Sequence, residues 1–285
     1  MPNPAATRLT RLIAPPYALS SCVRALITRS TIESPLIDPR DRYNHSPATP
    51  LCTIAWFVEG EGELVVPGGL PPAPAPVRAV FAGPQTRPTT SWNPGPVRLF
   101  MVMFYPQALQ AVSGIDMAAW VDRWAPLDEV LGQQWQPLSD AILGAPDDAA
   151  RLALLEQFLA PRWQAARPRG AGAAAGDWVR HLAWQAADTA MGRSVRNIER
   201  RIKARAGQSM RSLLRLRRAE QSFFDAREQA LGGGVNLADV AAQGGYADQA
   251  HLSREVREIT GHSPGKFLHL LDSEDESYWI YRIWV

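Results

Sequence analysis

The stretch Gly245-Tyr-Ala-Asp-Gln-Ala-His-Leu-Ser-Arg-Glu-Val-Arg-Glu-Ile-Thr-Gly-His-Ser-Pro264 decides the fold of the chain's C-terminal part. Gly244 and Gly245 supply a permissive turn, and Asp248 is a good N-cap residue. Leu252, Val256 and Ile259 then recur at helical spacing, which predicts a short helix with one apolar face. Gln249, His251, Ser253, Arg254 and Arg257 are left to point away from that face. Gly261 ends the helix, and Ser263-Pro264 opens the next one with Pro in its first turn. A short helix presenting Gln and Arg beside a tight turn has the shape that enters a DNA major groove.

A second copy of this pattern lies upstream. In Gly192-Arg-Ser-Val-Arg-Asn-Ile-Glu-Arg-Arg-Ile-Lys-Ala-Arg-Ala-Gly207, Ser194 is the expected N-cap. Ile198, Ile202 and Ala206 form its inner row, and Arg196, Asn197, Glu199, Arg200 and Lys203 remain for the outside. Between the copies, Ser209–Leu231 reads as one helix of roughly twenty residues, or about 30 Å at 1.5 Å per residue. Two recognition helices held by such a rod meet successive major grooves, about 34 Å apart, on one side of a duplex.

The pattern Ser194-x-Arg-x-Ile-x-Arg-Arg-Ile, Gly207-Gln-Ser, Arg217-Arg-Ala-Glu, Leu237-Ala-x-Val-Ala, Gly245-Tyr-x-Asp-Gln-x-His-Leu-Ser-Arg and Thr260-Gly-x-Ser-Pro resembles the paired helix-turn-helix domain of AraC/XylS-type transcription regulators. The resemblance covers about residues 180–270. Asp188 departs from it where the family has a small apolar residue, and Ile202 where it has an aromatic. The resemblance implies a sequence-specific DNA-binding regulator, probed through double-stranded DNA, with a homodimer and RNA polymerase as partners in the family's manner.

Charge supports the same reading from another direction. Between Arg193 and Arg218 stand ten cations (Arg193, Arg196, Arg200, Arg201, Lys203, Arg205, Arg211, Arg215, Arg217, Arg218) and one acid, Glu199. The whole chain carries a net charge of only +2, so the basic charge is concentrated, as an electrostatic footprint should be. Nearly all of it is Arg, whose planar fork suits guanine and phosphate.

Within that frame Arg196, Asn197, Glu199 and Arg200 of the first unit are expected to read bases. In the second unit Gln249, Ala250, His251, Ser253 and Arg254 are expected to do so. Gln suits adenine, Arg suits guanine, Glu199 accepts from cytosine, and Ala250 offers a small apolar surface to a thymine methyl. Arg193, Ser194, Lys203, Arg211, Arg215 and Lys266 are expected on phosphates, which fix register without reading sequence. Ile198, Ile202, Leu237, Val240, Leu252, Val256 and Phe267 are expected in the core.

The 285 residues, of which 46% are hydrophobic, suffice for two cores. The expected layout is a sensor and dimerisation domain over 1–166, a Pro/Gly/Ala linker over 167–176, and a DNA-binding domain over 177–271. An acidic, aromatic tail follows over 272–285, with Tyr278, Trp279, Tyr281 and Trp284. Three arrangements are open for that tail: packed back on its own domain, touching the N-terminal half, or disordered. Up to about residue 105 the chain reads as β, with strands at Cys22–Thr28, Leu51–Val58, Glu63–Val66, Val77–Ala82 and Val97–Phe104. Gly60-Glu-Gly62 reads as a hairpin turn and Pro67–Pro76 as a surface loop. Short strands with frequent turns suggest a small barrel or a two-sheet jelly roll. From Pro106 the pattern is helical, and Asp147–Ala166 places Leu152, Leu155, Leu159 and Trp163 on one face.

The fold class is therefore α+β in two domains: a β-rich N-terminal barrel or jelly roll with helices, and an all-α double helix-turn-helix domain. The N-terminal layout resembles the cupin-like sensor half of the same family, which implies a small-molecule effector. Trp56, Trp92 and Phe100 are the expected lining of its pocket. The adjacent pair Trp56 and Phe57 face opposite sides of a strand, so they cannot share one cavity.

Enzymatic chemistry finds little purchase. Metal-dependent cupins need several His converging on one ion, and residues 1–175 contain His45 alone. No metal or cofactor is expected, and no phosphate loop, nucleophile elbow or dinucleotide fingerprint occurs. Glu59, Glu61 and Glu63 read as a solvated strand face. Cys52, inside an apolar strand, keeps one alternative alive: a cysteine that accepts alkyl groups from DNA. A regulator without small-molecule input is the other alternative. The two cysteines suggest a reducing compartment, no apolar run nears the ~18 residues of a membrane span, and Arg8, Arg11, Pro15 and Pro16 interrupt any leader-like start. These features predict a cytoplasmic protein.

Overall fold

The computed structural model describes residues 9–33, 36, 38–64, 77–167, 178, 179, 182, 195–231 and 234–284. Two antiparallel sheets face each other in the N-terminal part. The larger has strand order β1 (Thr10–Ile13), β2 (Val23–Ser30), β8 (Arg98–Phe104), β4 (Cys52–Glu59), β6 (Ala79–Ala82) and β9 (Trp124–Pro126). The smaller has order β3 (Tyr43–Ser46), β7 (Thr89–Trp92) and β5 (Glu63–Leu64). This is the two-sheet form of the expected fold. Gly60-Glu-Gly62 does not close a hairpin, because β4 pairs with β6 and β8 whereas β5 pairs with β7. The turn instead carries the chain from one sheet to the other. Gly60 adopts φ +74° there, and a Cβ would lie 2.4 Å from the Pro96 carbonyl oxygen.

Helices cover the outer face of the larger sheet. These are α1 (Pro106–Ser113), α2 (Leu127–Leu131), α3 (Gln136–Gly144) and α4 (Asp148–Ala166). In α4 the Asp147 carboxylate accepts from the Ala150 amide at 2.8 Å, capping the helix where the sequence places it. Leu155, Leu159 and Trp163 are buried in one core with Trp56, Phe81, Phe100, Phe104 and Trp135. Trp56 donates its indole N–H to the Ser139 hydroxyl of α3 at 3.0 Å, so even the polar atom of that ring is satisfied on the helical side.

The C-terminal part is helical: α5 (Val195–Ala206), α6 (Met210–Leu231), α7 (Leu237–Gln243), α8 (Gln249–Thr260), α9 (Pro264–Leu271) and α10 (Trp279–Trp284). Its larger core gathers Leu216, Phe223, Val240, Leu252, Val256, Ile259 and Phe267, joined by Tyr281 from the tail. A smaller core gathers Val179, Leu182, Ile202, Ala206 and Leu213, with Ile198 packed against it. Ile198 and Leu237 are only half-buried, at the margins of their cores.

Candidate nucleic-acid interface and the cavity behind it

The second helix-turn-helix unit is built by local rules. Asn236 caps α7, its side chain accepting from the Ala238 amide at 3.0 Å. Gly244 then lies so close to α6 that a Cβ would sit 2.5 Å from the Ser222 hydroxyl, and Gly245 turns at φ +70°. The Asp248 carboxylate accepts from the His251 amide at 2.6 Å and starts α8. Gly261 closes it at φ +78°, and the Ser263 hydroxyl accepts from the Lys266 amide at 3.4 Å to start α9. With Leu252, Val256 and Ile259 buried, Gln249, Ala250, Arg254 and Arg257 are exposed, while His251 and Ser253 are half-buried.

The His251 ring has a structural task beside its expected one. Its Nδ1 accepts from the Ala247 amide at 3.3 Å, and its edge meets the Tyr246 ring at 5.3 Å. It therefore helps shape the turn that presents Gln249.

Electrostatics braces this unit against the rod. Glu255, whose side chain is 7% exposed, accepts from Arg218 at 2.7 Å and 2.9 Å, and Arg218 also lies over the Tyr246 ring at 4.4 Å. Arg215 pairs with Glu258 at 3.0 Å and approaches Glu255 at 3.9 Å. Arg215 is thus engaged within the protein, between α6 and α8, where the sequence suggests a phosphate contact. Lys266 and Arg211 are exposed, at the starts of α9 and α6.

In the first unit the exposed face of α5 carries Arg196, Arg200 and Lys203, at spacings of four and three residues that align them in one stripe. Asn197 and Glu199 flank that stripe and are half-buried. Arg193 and Ser194 lie outside the described residues. The α6 helix spans 22 residues, or about 33 Å at 1.5 Å per residue, close to one turn of B-form DNA at about 34 Å.

A cavity of about 360 Å³ lies between the two sheets. Its walls include Ala25 and Ile27 of β2, Thr53, Ala55 and Phe57 of β4, and Leu99, Met101 and Met103 of β8. Trp56 and Phe100, expected in the pocket, are fully buried on the opposite face of the same sheet. The cause is strand alternation: residues 53, 55 and 57 face one side, and 54 and 56 the other. The large aromatics fill the space beneath the helices, while small residues such as Ala25, Ala55 and Ala82 leave room on the inner side. Trp92 is likewise out of phase, since its neighbours Ser91 and Asn93 face the cavity.

The two cysteines are buried, and burial pushes both thiols well above the ordinary thiol range. Cys52 Sγ lies 3.8 Å from the Phe104 carbonyl oxygen, inside the core. A thiol held protonated and out of contact with solvent is poorly placed for alkyl transfer. Among the described residues no cluster of His, Cys, Asp or Glu could hold a metal ion, and no helix is long and apolar enough to cross a membrane.

Comparison with known families places residues 189–269 in a helix-turn-helix domain family. That match spans both units described above, and it makes this region a DNA-binding helix-turn-helix domain of the AraC type. Among solved structures, ToxT from Vibrio cholerae O395 is similar at 10% identity with a TM-score of 0.39, over 80% of this chain and 94% of that one. Wild-type ToxT from Vibrio cholerae strain SCE256 in its unsaturated fatty acid bound form is similar at 11% identity with a TM-score of 0.34, over 80% and 93%. No curated protein matches the chain.

Proposed function

We propose that the two units grip successive major grooves, with α8 and α5 as the reading helices. The observation that carries this is the exposed row on each helix: Gln249, Ala250 and Arg254 on α8, and Arg196, Arg200 and Lys203 on α5. Each row stands opposite a buried apolar face, so the helices can enter a groove without disturbing their packing. Arg254 and Arg200 are assigned to guanine, Gln249 to adenine, and Lys203, Arg211 and Lys266 to phosphate. Ser253, Asn197, Glu199 and His251 complete the base-facing set from the margins of the same faces.

The N-terminal half is the sensor. A cavity of about 360 Å³, walled mainly by aliphatic, Met and Phe side chains, falls within the size range of small-molecule sites. The family resemblance adds a homodimer joined through the sensor half, and RNA polymerase as a downstream partner.

The test uses the full-length protein on DNA selected from a random pool. Arg254→Ala is expected to weaken binding by about 1–3 kcal/mol and to relax preference at one base pair. Lys203→Ala should weaken all sequences alike and reduce the salt slope by about one. Unchanged selectivity in Arg254→Ala contradicts the assignment.

A further inference from the structure

The sheets alone do not close the cavity. Trp279, Ile280 and Ile283 of the C-terminal tail complete its wall, together with Phe224 of α6. The tail is tied to both sheets at once. The Trp279 indole N–H donates to Asn44 Oδ1, on β3 of the smaller sheet, at 2.7 Å. Glu276 accepts from Arg29, on β2 of the larger sheet, at 2.8 Å, and the Arg29 guanidinium also lies 4.9 Å from the centre of the Trp279 ring. The Arg29 side chain is 2% exposed, so this ion pair is shielded from water.

The same segment reaches the second helix-turn-helix unit. Tyr281 is buried beside Phe267, and its hydroxyl donates to the Thr260 carbonyl, at the last residue of α8, at 2.8 Å. Arg282 stiffens the span between, donating to the Ser273 and Asp275 carbonyls and pairing with Glu276 at 2.6 Å. One residue earlier in α8, the Ile259 carbonyl accepts from the Ala48 amide of the N-terminal half at 2.8 Å. A short stretch of chain thus runs from the cavity wall to the end of a reading helix.

The wall also states what chemistry it accepts. Its charged groups, Arg24 and Glu220, face each other at 3.8 Å. Its amides are engaged: Asn44 with Asn93 and Trp279, Asn93 with the Glu61 carbonyl, and Gln85 with the Gly83 carbonyl. Neither of its charged groups is left without an opposite charge, whereas the Trp124 indole N–H is a buried donor without a partner, so a largely apolar, uncharged ligand bearing an acceptor oxygen suits this wall.

We infer that the tail, through Trp279, Ile280 and Ile283, couples occupancy of the cavity by an uncharged apolar ligand to the docking of the second helix-turn-helix unit on the sensor half. This rests on the sensor reading above. The ligand touches Ile280 and Ile283 only when the tail is docked, so it binds the docked state more tightly and shifts the population toward it. By reciprocity, anything that loosens the tail weakens the ligand by the same factor.

The experiment uses full-length protein and the neutral fluorophore N-phenyl-1-naphthylamine, with amide hydrogen exchange as the second readout. Saturable binding of one probe per chain should slow exchange in the tail and at the end of α8. Ile280→Ala combined with Ile283→Ala should lower probe affinity about tenfold, since buried methylenes are lost from the contact. Trp279→Phe, which keeps an aromatic ring but trims the indole to a phenyl and removes the N–H to Asn44, should lower affinity by a smaller factor and speed tail exchange. Decanol should displace the probe and decanoate should not. Equal probe affinity in all variants, with tail exchange unmoved by the probe, overturns the coupling while leaving the sensor cavity standing. Displacement by decanoate in preference to decanol overturns the ligand class. Failure of wild-type protein to bind any apolar probe overturns both the coupling and the sensor reading beneath it.

Discussion

The two helix-turn-helix units present similar faces but are held by different means. The second carries its own core, its own caps and an ion-pair brace from Glu255 to Arg218 on the rod. The first has a smaller core around Ile202 and Ala206, and α5 leans on α1 and on the 3₁₀ turn Met117–Trp120 of the N-terminal half. At its end, Gly207 turns at φ +76°, where a Cβ would lie 2.8 Å from Val121 Cγ2. One unit is stabilised mainly from within, and the other partly by its neighbour. The N-terminal half thus supports the first unit across a broad contact, and meets the second through the Ala48 amide on the Ile259 carbonyl and through the tail.

The largest expected effect separates those two modes. Ile259, fully buried, should cost about 2–5 kcal/mol when changed to Ala, whereas half-buried Ile198→Ala should cost less than about 2 kcal/mol. Chemical denaturation of the full chain checks this, and equal losses would remove the contrast. Next in size, Glu255→Gln keeps the volume but breaks the charged brace. A loss of about 1–3 kcal/mol is expected, because Arg218 is left half-buried without its carboxylate. Gly207→Ala sharpens the comparison from the other side. Positive φ and a crowded Cβ together should cost about 1–2 kcal/mol, with faster hydrogen exchange confined to α5 and its contact with the N-terminal half.

The smallest effect is one of pH. His45 stacks on Tyr278 at 4.5 Å and shares a 3.1 Å hydrogen bond with Thr90, while His262 meets Tyr278 and Tyr281 edge-on. Burial, then the charge of His262, holds His45 below the ordinary imidazole value, with Asp275 opposing. Burial and Lys266 act on His262 in the same direction. Both rings are thus favoured neutral in the folded state. Their contribution is fully present above about pH 6.5 and is lost as pH falls through the lowered folded values. Tail hydrogen exchange should accelerate when pH is lowered from about 7 to about 5, after correction for intrinsic rates. A flat profile would show that these rings do not hold the tail.

The legible parts of the molecule were those written in short stretches. Asp248, Gly245, Gly261 and Ser263-Pro264 act within four residues of themselves, and each does in space what its spacing suggests. The apolar faces of α4 and α8 follow for the same reason. The strands Thr10–Ile13, Tyr43–Ser46, Thr89–Trp92 and Trp124–Pro126 were not legible, being three or four residues long and lacking a clear apolar alternation. The pocket was misjudged in phase. Aromatic size pointed to Trp56 and Phe100, but a hole forms where side chains are small, and only the placement of the helices tells which face that is. The tail was illegible because its partners are remote: Asn44 is 235 residues from Trp279, and Arg29 is 247 from Glu276. No local rule connects such groups, and acidic composition alone gave no hint of an apolar wall.

The proposed function requires two reading helices about one DNA turn apart, the length of the 22-residue α6. Hydroxyl-radical footprinting of the full-length protein, on duplexes selected from a random pool, tests that spacing most directly. Paired protections about 10 bp apart on one face of the helix are expected for each bound chain. Protection confined to a single groove, or no enriched duplex at low ionic strength, would contradict it.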